Sequence, residues 1–275
     1  MSDLKDRVAR LPGRLRLGLL IIGLLAAGSV AIGLFGGADP ISQDQGAFLA
    51  TPSAEHWLGT DRVGRDILVR LLYAGRLSLT VSVAAVVAMV AIGLPIGVVA
   101  GYLGGPVDTV FSRVIDILLA FPFILGAVAL MAVVGPGLWN IFLVMALLGW
   151  PQIARVARAG VIDEAAKDYI AAVKVAGGTP WYVIRRHILP GTAGPVVVFA
   201  AMGVGTAILT EATLSFLGFG VPAPQPSWGM MISEAQVVFG TAPWILIAPG
   251  AAIVLACLGF NLIGEGLHDA WELDE

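Results

Sequence analysis

The chain is poor in the residues that most chemistry needs. It has one cysteine, Cys257, in 275 residues, so no intramolecular disulfide can form, and a lone thiol in an apolar run reads as packing. Its three histidines, His56, His187 and His268, are scattered, and no HExxH, CxxC or clustered His set exists to hold a metal. Lys5, Lys167 and Lys174 follow Leu, Ala and Val. A phosphate-cradling GxxxxGK[ST] loop is therefore excluded, and the chain cannot be its own ATPase of that type. No GxSxG nucleophile turn is present. The longest segments outside apolar runs, 39–76 and 155–190, fall well short of the roughly 100 residues of a folded domain. The net charge of −3 gives no reason to expect a nucleic-acid partner.

Charge itself is scarce. Only 13% of residues are charged while 58% are hydrophobic, and the mean hydropathy is +0.90. These values lie outside the range of soluble domains and define an all-α integral membrane protein. A hydrocarbon core of about 30 Å needs about 20 helical residues. Charge-free runs of that length lie between Arg16 and Asp39 and between Arg76 and Asp108. Another runs from Ile117 to Ala154 and is divided by Gly135-Pro136-Gly137 into two helices. A fifth follows Pro190 toward Phe216, and a sixth lies between Pro243 and Gly264. The expected organisation is a cytoplasmic N-terminus (1–16), a first transmembrane helix (17–38), an extracytoplasmic loop (39–76), a five-helix core (77–264) and a cytoplasmic tail (265–275). The core contains a cytoplasmic loop at 155–190 and an extracytoplasmic loop at 217–242.

Twelve of the sixteen Lys and Arg residues lie before span one, at the start of span three, or around the loop between spans four and five. The other side holds Arg62, Arg65, Arg70 and Arg76. This bias predicts both termini inside. The acidic tail around Glu265, Asp269, Glu272, Asp274 and Glu275 does not oppose it, because acids contribute little to the rule. A cleaved signal peptide is the competing reading of residues 1–35 and would change only the span count.

Residues 168–190, DYIAAVKVAGGTPWYVIRRHILP, place charge between apolar spans. Ile162, Ala166, Tyr169, Ile170 and Val173 recur at helical spacing over 162–176 while Asp163, Glu164, Lys167 and Lys174 fall on the other flank, with Asp163 four residues before Lys167. Gly177-Gly178 ends that amphipathic helix. Thr179-Pro180 caps a second short helix to about Ile188, and Pro190 marks the entry to span five. Two short helices meeting at a glycine turn form a knob that a partner can grip; a helix lying on the membrane surface, anchored by Trp181, Tyr182 and two arginines, is the other reading.

Other residues carry separate expectations. Glu211, in TEATLSF, is an intramembrane acid and a candidate for the solute path or a gate, or a structural cap before Pro222. Arg113 and Asp116 are spaced to pair on one helix face, and Asn261 is expected to hydrogen-bond to a neighbouring helix. The stretch GFGVPAPQPSWGMM (218–231) and HWLGTDRVGRD form a candidate surface for a delivering protein, with Trp57 and Trp228 alternatively serving only as interfacial aromatics.

Tyr169, Ala172, Gly177 eight residues after the tyrosine, and Leu189-Pro190 resemble the "EAA loop" of ABC-importer permeases. With SAEHWLGTDRVGRDILVRLLYAGRLSL (53–79), GPGLWNIFLVMALLGWPQIARVARAGV (135–161), ILTEATLSFLGFGVPAPQPSWGMMISE (208–234) and APWILIAPGAAIVLACLGFNLIGEGLHDA (242–270), the chain resembles C-type permease subunits of dipeptide, oligopeptide and nickel importers over about residues 50–271. It departs at Ala171, where the general motif has glutamate, at His187, where it has an aliphatic residue, and at Gly191, where asparagine is common. The resemblance implies a six-helix, type I importer permease in a prokaryotic inner membrane. It further implies a homologous second permease, two cytoplasmic ATPases that bind ATP and Mg, an extracytoplasmic solute-binding protein, and no cofactor on this chain. By matching positions it puts Tyr169, Ala172, Gly177, Gly178 and Pro190 in the element coupled to the ATPases, with alternating access as the mechanism. A stand-alone secondary transporter would instead show internal repeats and midplane carboxylates, and a membrane enzyme would show clustered catalytic groups.

Overall fold

The structure is a computed structural model that describes residues 12–35 and 39–272. The expected roles of Lys5, Arg7, Arg10, Asp274 and Glu275, and the expected end of span one at 36–38, lie outside those residues. Among the described residues the chain is helical, with only an isolated bridge between Thr60 and Asp66. The elements are α1 (Gly13–Phe35), α2 (Ile67–Leu103), α3 (Gly105–Ala120), α4 (Phe123–Val134), α5 (Leu138–Ala165), α6 (Asp168–Val175) and α7 (Pro180–Val183). A π turn, Ile184–Ile188, leads into α8 (Leu189–Leu214), and a second, Ser215–Phe219, follows it. After these come α9 (Trp228–Ala235) and α10 (Trp244–Glu272).

Among the described residues five stretches are long and apolar enough to cross a membrane, and α3 and α4 pass that test only together, as a pair bent by 84°. The first of the two helices expected from Ile117 to Ala154 is itself broken, at Phe121-Pro122. Pro122 disfavours helical geometry at the preceding residue, and Phe121 is accordingly extended at φ −85°, ψ 131°. Helix α2 begins at Ile67, inside the expected 39–76 loop, capped by the Asp66 carboxylate accepting from the Val69 N–H. Its 37 residues reach about 55 Å, well beyond the hydrocarbon core.

Small residues decide how these helices meet, because lipid offers no hydrophobic drive for apolar helices to associate. Gly93, Gly97 and Gly101 stand on successive turns of α2. A Cβ there would lie 2.6, 2.5 and 2.9 Å from the carbonyl oxygens of Trp150, Ala154 and Arg158 on α5. The two backbones therefore run side by side in the same direction. Helices α1 and α10 run antiparallel, with Arg14 within 3.5 Å of Glu265 and 3.8 Å of Asp269. The start of α1, the end of α10 and the loop after α5 thus share one end of the bundle, called here the terminal end.

The far end carries the 39–66 loop and α9, riveted to α2 by ion pairs. Arg70, only 1% exposed, reaches Glu234 of α9 at 2.9 Å and Asp61 at 3.6 Å. Arg65 joins the same carboxylates at 2.6 Å (Asp61) and 2.9 Å (Glu234). The 218–231 stretch is less of a loop than expected, since α9 starts at Trp228, capped by Ser227. Trp228 is buried and donates to the Leu71 carbonyl at 3.0 Å, so it is a core residue and not a surface aromatic, whereas Trp57 is exposed.

Candidate coupling loop and central cavity

The loop at the terminal end departs from the expected pair of short helices in two places. Helix α5 continues to Ala165, and the chain then turns at Lys167, extended at ψ 142°, before α6 starts at Asp168. The turn folds Ile170 back into a buried cluster with Val98, Val161, Val183 and Ile188. A straight helix over 162–176 would carry that side chain away from its partners. The second helix is not separate either. It runs from Pro180 through the π turn into α8, where the Leu189 N–H donates to the Ile184 carbonyl five residues back. Pro190 has no N–H to offer, and the widened turn just before it accommodates the ring.

Between the two segments the local rules hold. Gly177 sits at φ +88° with nothing within 4 Å of a Cβ, so its requirement is conformational and not steric. The Gly178 N–H closes on the Val173 carbonyl at 3.0 Å, a Schellman-type end. Thr179 Oγ1 accepts from the Tyr182 N–H at 3.3 Å, and Pro180 occupies the first helical position.

The underside of this loop is anchored by Glu164, which sequence reasoning placed on the polar flank. Its carboxylate is buried, accepts from the Tyr169 hydroxyl, and lies 2.8 Å from Lys167 Nζ. Lys167 thus reaches Glu164, three residues before it. The hydrogen bond to Glu164, followed by burial, pushes the Tyr169 phenol above its ordinary pKa. Gly191 explains itself here: a Cβ at this position would fall on the Glu164 carboxyl. His187 stands between Tyr169 and Tyr182, with ring centroids 5.8 and 5.6 Å away. The outward side is exposed and largely apolar. Ala172 and Gly177 are on it, with Val175 at 90% and Trp181 at 68% exposure. Tyr169 and Ala172 on α6 and Gly177 and Gly178 at its C-terminal turn are therefore close along one short segment, while exposed Pro190 lies at the far side of the π turn.

Neighbouring charges lock the adjoining helices. Arg158 on α5 grips Asp108 on α3, with one contact at 2.7 Å. Asp116 takes Arg155 at 2.7 Å, which corrects the expected Arg113–Asp116 pair. Spacing along one helix could not show that a second helix supplies a better-placed arginine.

Glu211 lies where α8, α2 and α9 meet at the far end. It is 1% exposed, accepts from Ser215 Oγ at 2.7 Å and has the Ser78 and Ser227 hydroxyls beside it. Its Oε2 has no hydrogen-bond partner among the described residues. It does not line the half-open cavity of about 360 Å³ that is walled by α2, α4, α5, α8 and α10. Asn261 does line it, and makes no hydrogen bond to the described residues, contrary to the expected interhelical bond.

Membrane-length helices packed around a polar-spotted cavity make this a multi-pass membrane protein. Its kind follows from its likeness to known proteins. The family described as "binding-protein-dependent transport system inner membrane component" matches residues 93–272. The dipeptide transport system permease protein DppC of Alkalihalophilus pseudofirmus is 46% identical over 222 residues, covering 81% of this chain and 73% of that one. The glutathione transport system permease protein GsiD of Pectobacterium atrosepticum is 42% identical, covering 80% and 73%. The oligopeptide transport system permease protein OppC of Bacillus subtilis is 38% identical, covering 92% and 83%. Among solved structures, inward-facing MetNI methionine ABC transporter superposes with a TM-score of 0.61 at 20% identity, over 73% of this chain and 95% of that one, which shows the shared fold. The chain belongs to the binding-protein-dependent transport system inner membrane component family and is a multi-pass permease subunit of an ABC transport system. Membership sets aside the stand-alone secondary transporter.

Proposed function

We propose that this chain forms half of the translocation path of an importer for dipeptides, oligopeptides or a related small solute, and carries no catalytic site of its own. A homologous permease supplies the other half. Two cytoplasmic ATPases, binding ATP and Mg, grip the loops at the terminal ends of the two permeases, and an extracytoplasmic binding protein delivers the solute to the far end. Both termini then face the cytoplasm. The coupling element comprises Tyr169, Ala172, Gly177, Gly178 and Pro190. Nucleotide binding draws the ATPases together, and the loop transmits that movement to α5 and α8 as a nearly rigid lever. Glu211 acts at the outer gate, as the hinge carboxyl between α8, α2 and α9.

The observation that carries the reading is the two-sided loop. Its inner side is fixed by Ile170 and Glu164, while Val175, Trp181 and Ala172 present apolar surface outward. Exposed apolar surface of this kind marks a protein contact. The names of the dipeptide, oligopeptide and glutathione permeases support the solute class. The test is to purify the tagged chain in mild detergent, identify its companions by mass spectrometry, and assay ATP hydrolysis. Recovery of a second permease and two ATPases, with hydrolysis raised by peptide-loaded binding protein, is the expected result. An intact complex without an ATPase would overturn the reading.

A further inference from the structure

Glu211 stands near the end of α8, is 1% exposed, and makes no salt bridge among the described residues. What faces it is the start of α9. Ser78 of α2, Ser215 of the π turn and Ser227, the N-cap of α9, are all buried around the carboxyl. The Trp228 N–H donates to Ser78 Oγ at 3.4 Å, and the Met230 N–H donates to Ser227 Oγ at 3.2 Å. These are amides of the kind that a helix leaves unpaired at its N-terminus. Each of the two hydroxyls, having accepted an amide, keeps its own proton to donate. The Glu211 carboxyl is the acceptor beside both: the Ser215 hydroxyl already donates to Oε1, and Oε2 has acceptor capacity to spare. The positive end of α9 is thereby relayed through two serines to a buried acid. The backbone is pressed close around the same point. A Cβ at Gly229 would fall on the Ala212 carbonyl of α8, and one at Gly220 would lie 2.6 Å from Ser215 Oγ.

We infer that Glu211 is the positioning residue of α9: it seats the first turn of that helix on α2 and α8, and so holds the exposed segments on either side of α9 as one contact surface for the delivering protein. This rests on the importer reading above. Residues 222–225 and 236–241 flank α9 and are largely exposed, with Val237 at 75% and Phe239 at 52%. The other end of α9 is fixed separately, by Glu234 to Arg65 and Arg70. With both ends pinned, the helix cannot pivot, and the two flanking segments keep their spacing. Apolar contact alone would let α9 slide over α8. Hydroxyls from three elements meeting one carboxyl select a single seat, because a buried polar network is stable only when its members are in place.

The test uses the whole complex in lipid nanodiscs, with Cys257→Ala as background and a nitroxide spin label on Val237→Cys, just beyond α9. The same label on Val175→Cys, 90% exposed at the opposite end, is the control. Glu211→Gln keeps the shape and removes the charge, and Ser78→Ala removes one link of the relay. Each should raise the mobility of the label at 237 and leave that at 175 unchanged, and the two together should do no more than Glu211→Gln alone. Unchanged mobility at 237 would overturn the inference. An equal rise at 175 would mark a general loosening and overturn it too. Strictly additive effects would show that Glu211 does not act on α9 through Ser78, and would count against the relay. If Glu211→Gln prevents assembly, Ser78→Ala decides by the same criterion. Docking of peptide-loaded binding protein should weaken about fivefold in both variants, the factor that a lost helix cap is worth. Undiminished docking would refute the role in the contact surface. If the parent complex binds no such protein in any nucleotide state, the importer reading fails instead, and the labels still report the seat of α9.

Discussion

The two ends of the bundle are held by opposite means. At the far end, Arg65 and Arg70 share Asp61 and Glu234 in a largely buried network that ties the 39–66 loop, α2 and α9 together. At the terminal end, a short helix rests on Ile170 and a single carboxylate, and turns exposed apolar side chains outward. The first arrangement suits a platform whose shape must persist while another protein lands on it. The second suits an element that a partner grips and moves as a unit.

The largest effect should come from the platform. Arg70→Ala leaves Asp61 and Glu234 with Arg65 alone and empties a buried site, a loss of about 2–4 kcal/mol, read as a lower unfolding temperature in detergent and poor recovery from the membrane. A variant as stable as the parent would show that the network contributes little. Next comes Gly177→Asp, which puts a charge on the gripped face at φ +88°. Assembly with the ATPases or transport should be lost while membrane insertion survives, since the site lies outside the packed helices; unchanged transport would refute the coupling role. Gly191→Ala should follow, costing roughly 1–3 kcal/mol through overlap with the Glu164 carboxyl. In a Glu164→Ser background, which has its own cost through Tyr169 and Lys167, Gly191→Ala should cost much less, and a strictly additive double variant would contradict the contact. The smallest effect is Tyr169→Phe, under about 1 kcal/mol because the ring is half exposed. The raised phenol pKa fixes its pH dependence. The hydrogen bond to Glu164 contributes fully below the ordinary tyrosine pKa and is lost only as pH rises through the raised one. Transport between pH 6 and 9 should therefore show no dependence removed by Tyr169→Phe.

What was legible in the sequence was local. Charge-free runs located the membrane helices because apolar length is a property of the segment itself. Gly177 and Thr179-Pro180 marked the loop because a left-handed residue and an N-cap obey short-range rules. Pro122 marks the break in the third span, but a lone proline in a charge-free run is a weaker signal than the Gly135-Pro136-Gly137 turn in the same run. The rest depends on how helices register against one another. Glu164 looked like a surface acid until α8 brought Gly191 against it. Asp116 had a plausible partner in Arg113 until α5 placed Arg155 closer. Gln152 and Asn261 were isolated polar residues on different helices, and only packing set both on one cavity.

The measurement that most directly tests the contrast between the two ends is a site-directed cross-link from Val175→Cys, in the Cys257→Ala background, within the intact complex. The account predicts a cross-link to an ATPase subunit, with a yield that changes between nucleotide-free and nucleotide-bound states. A complex that retains its ATPases but gives no such cross-link in either state would contradict it.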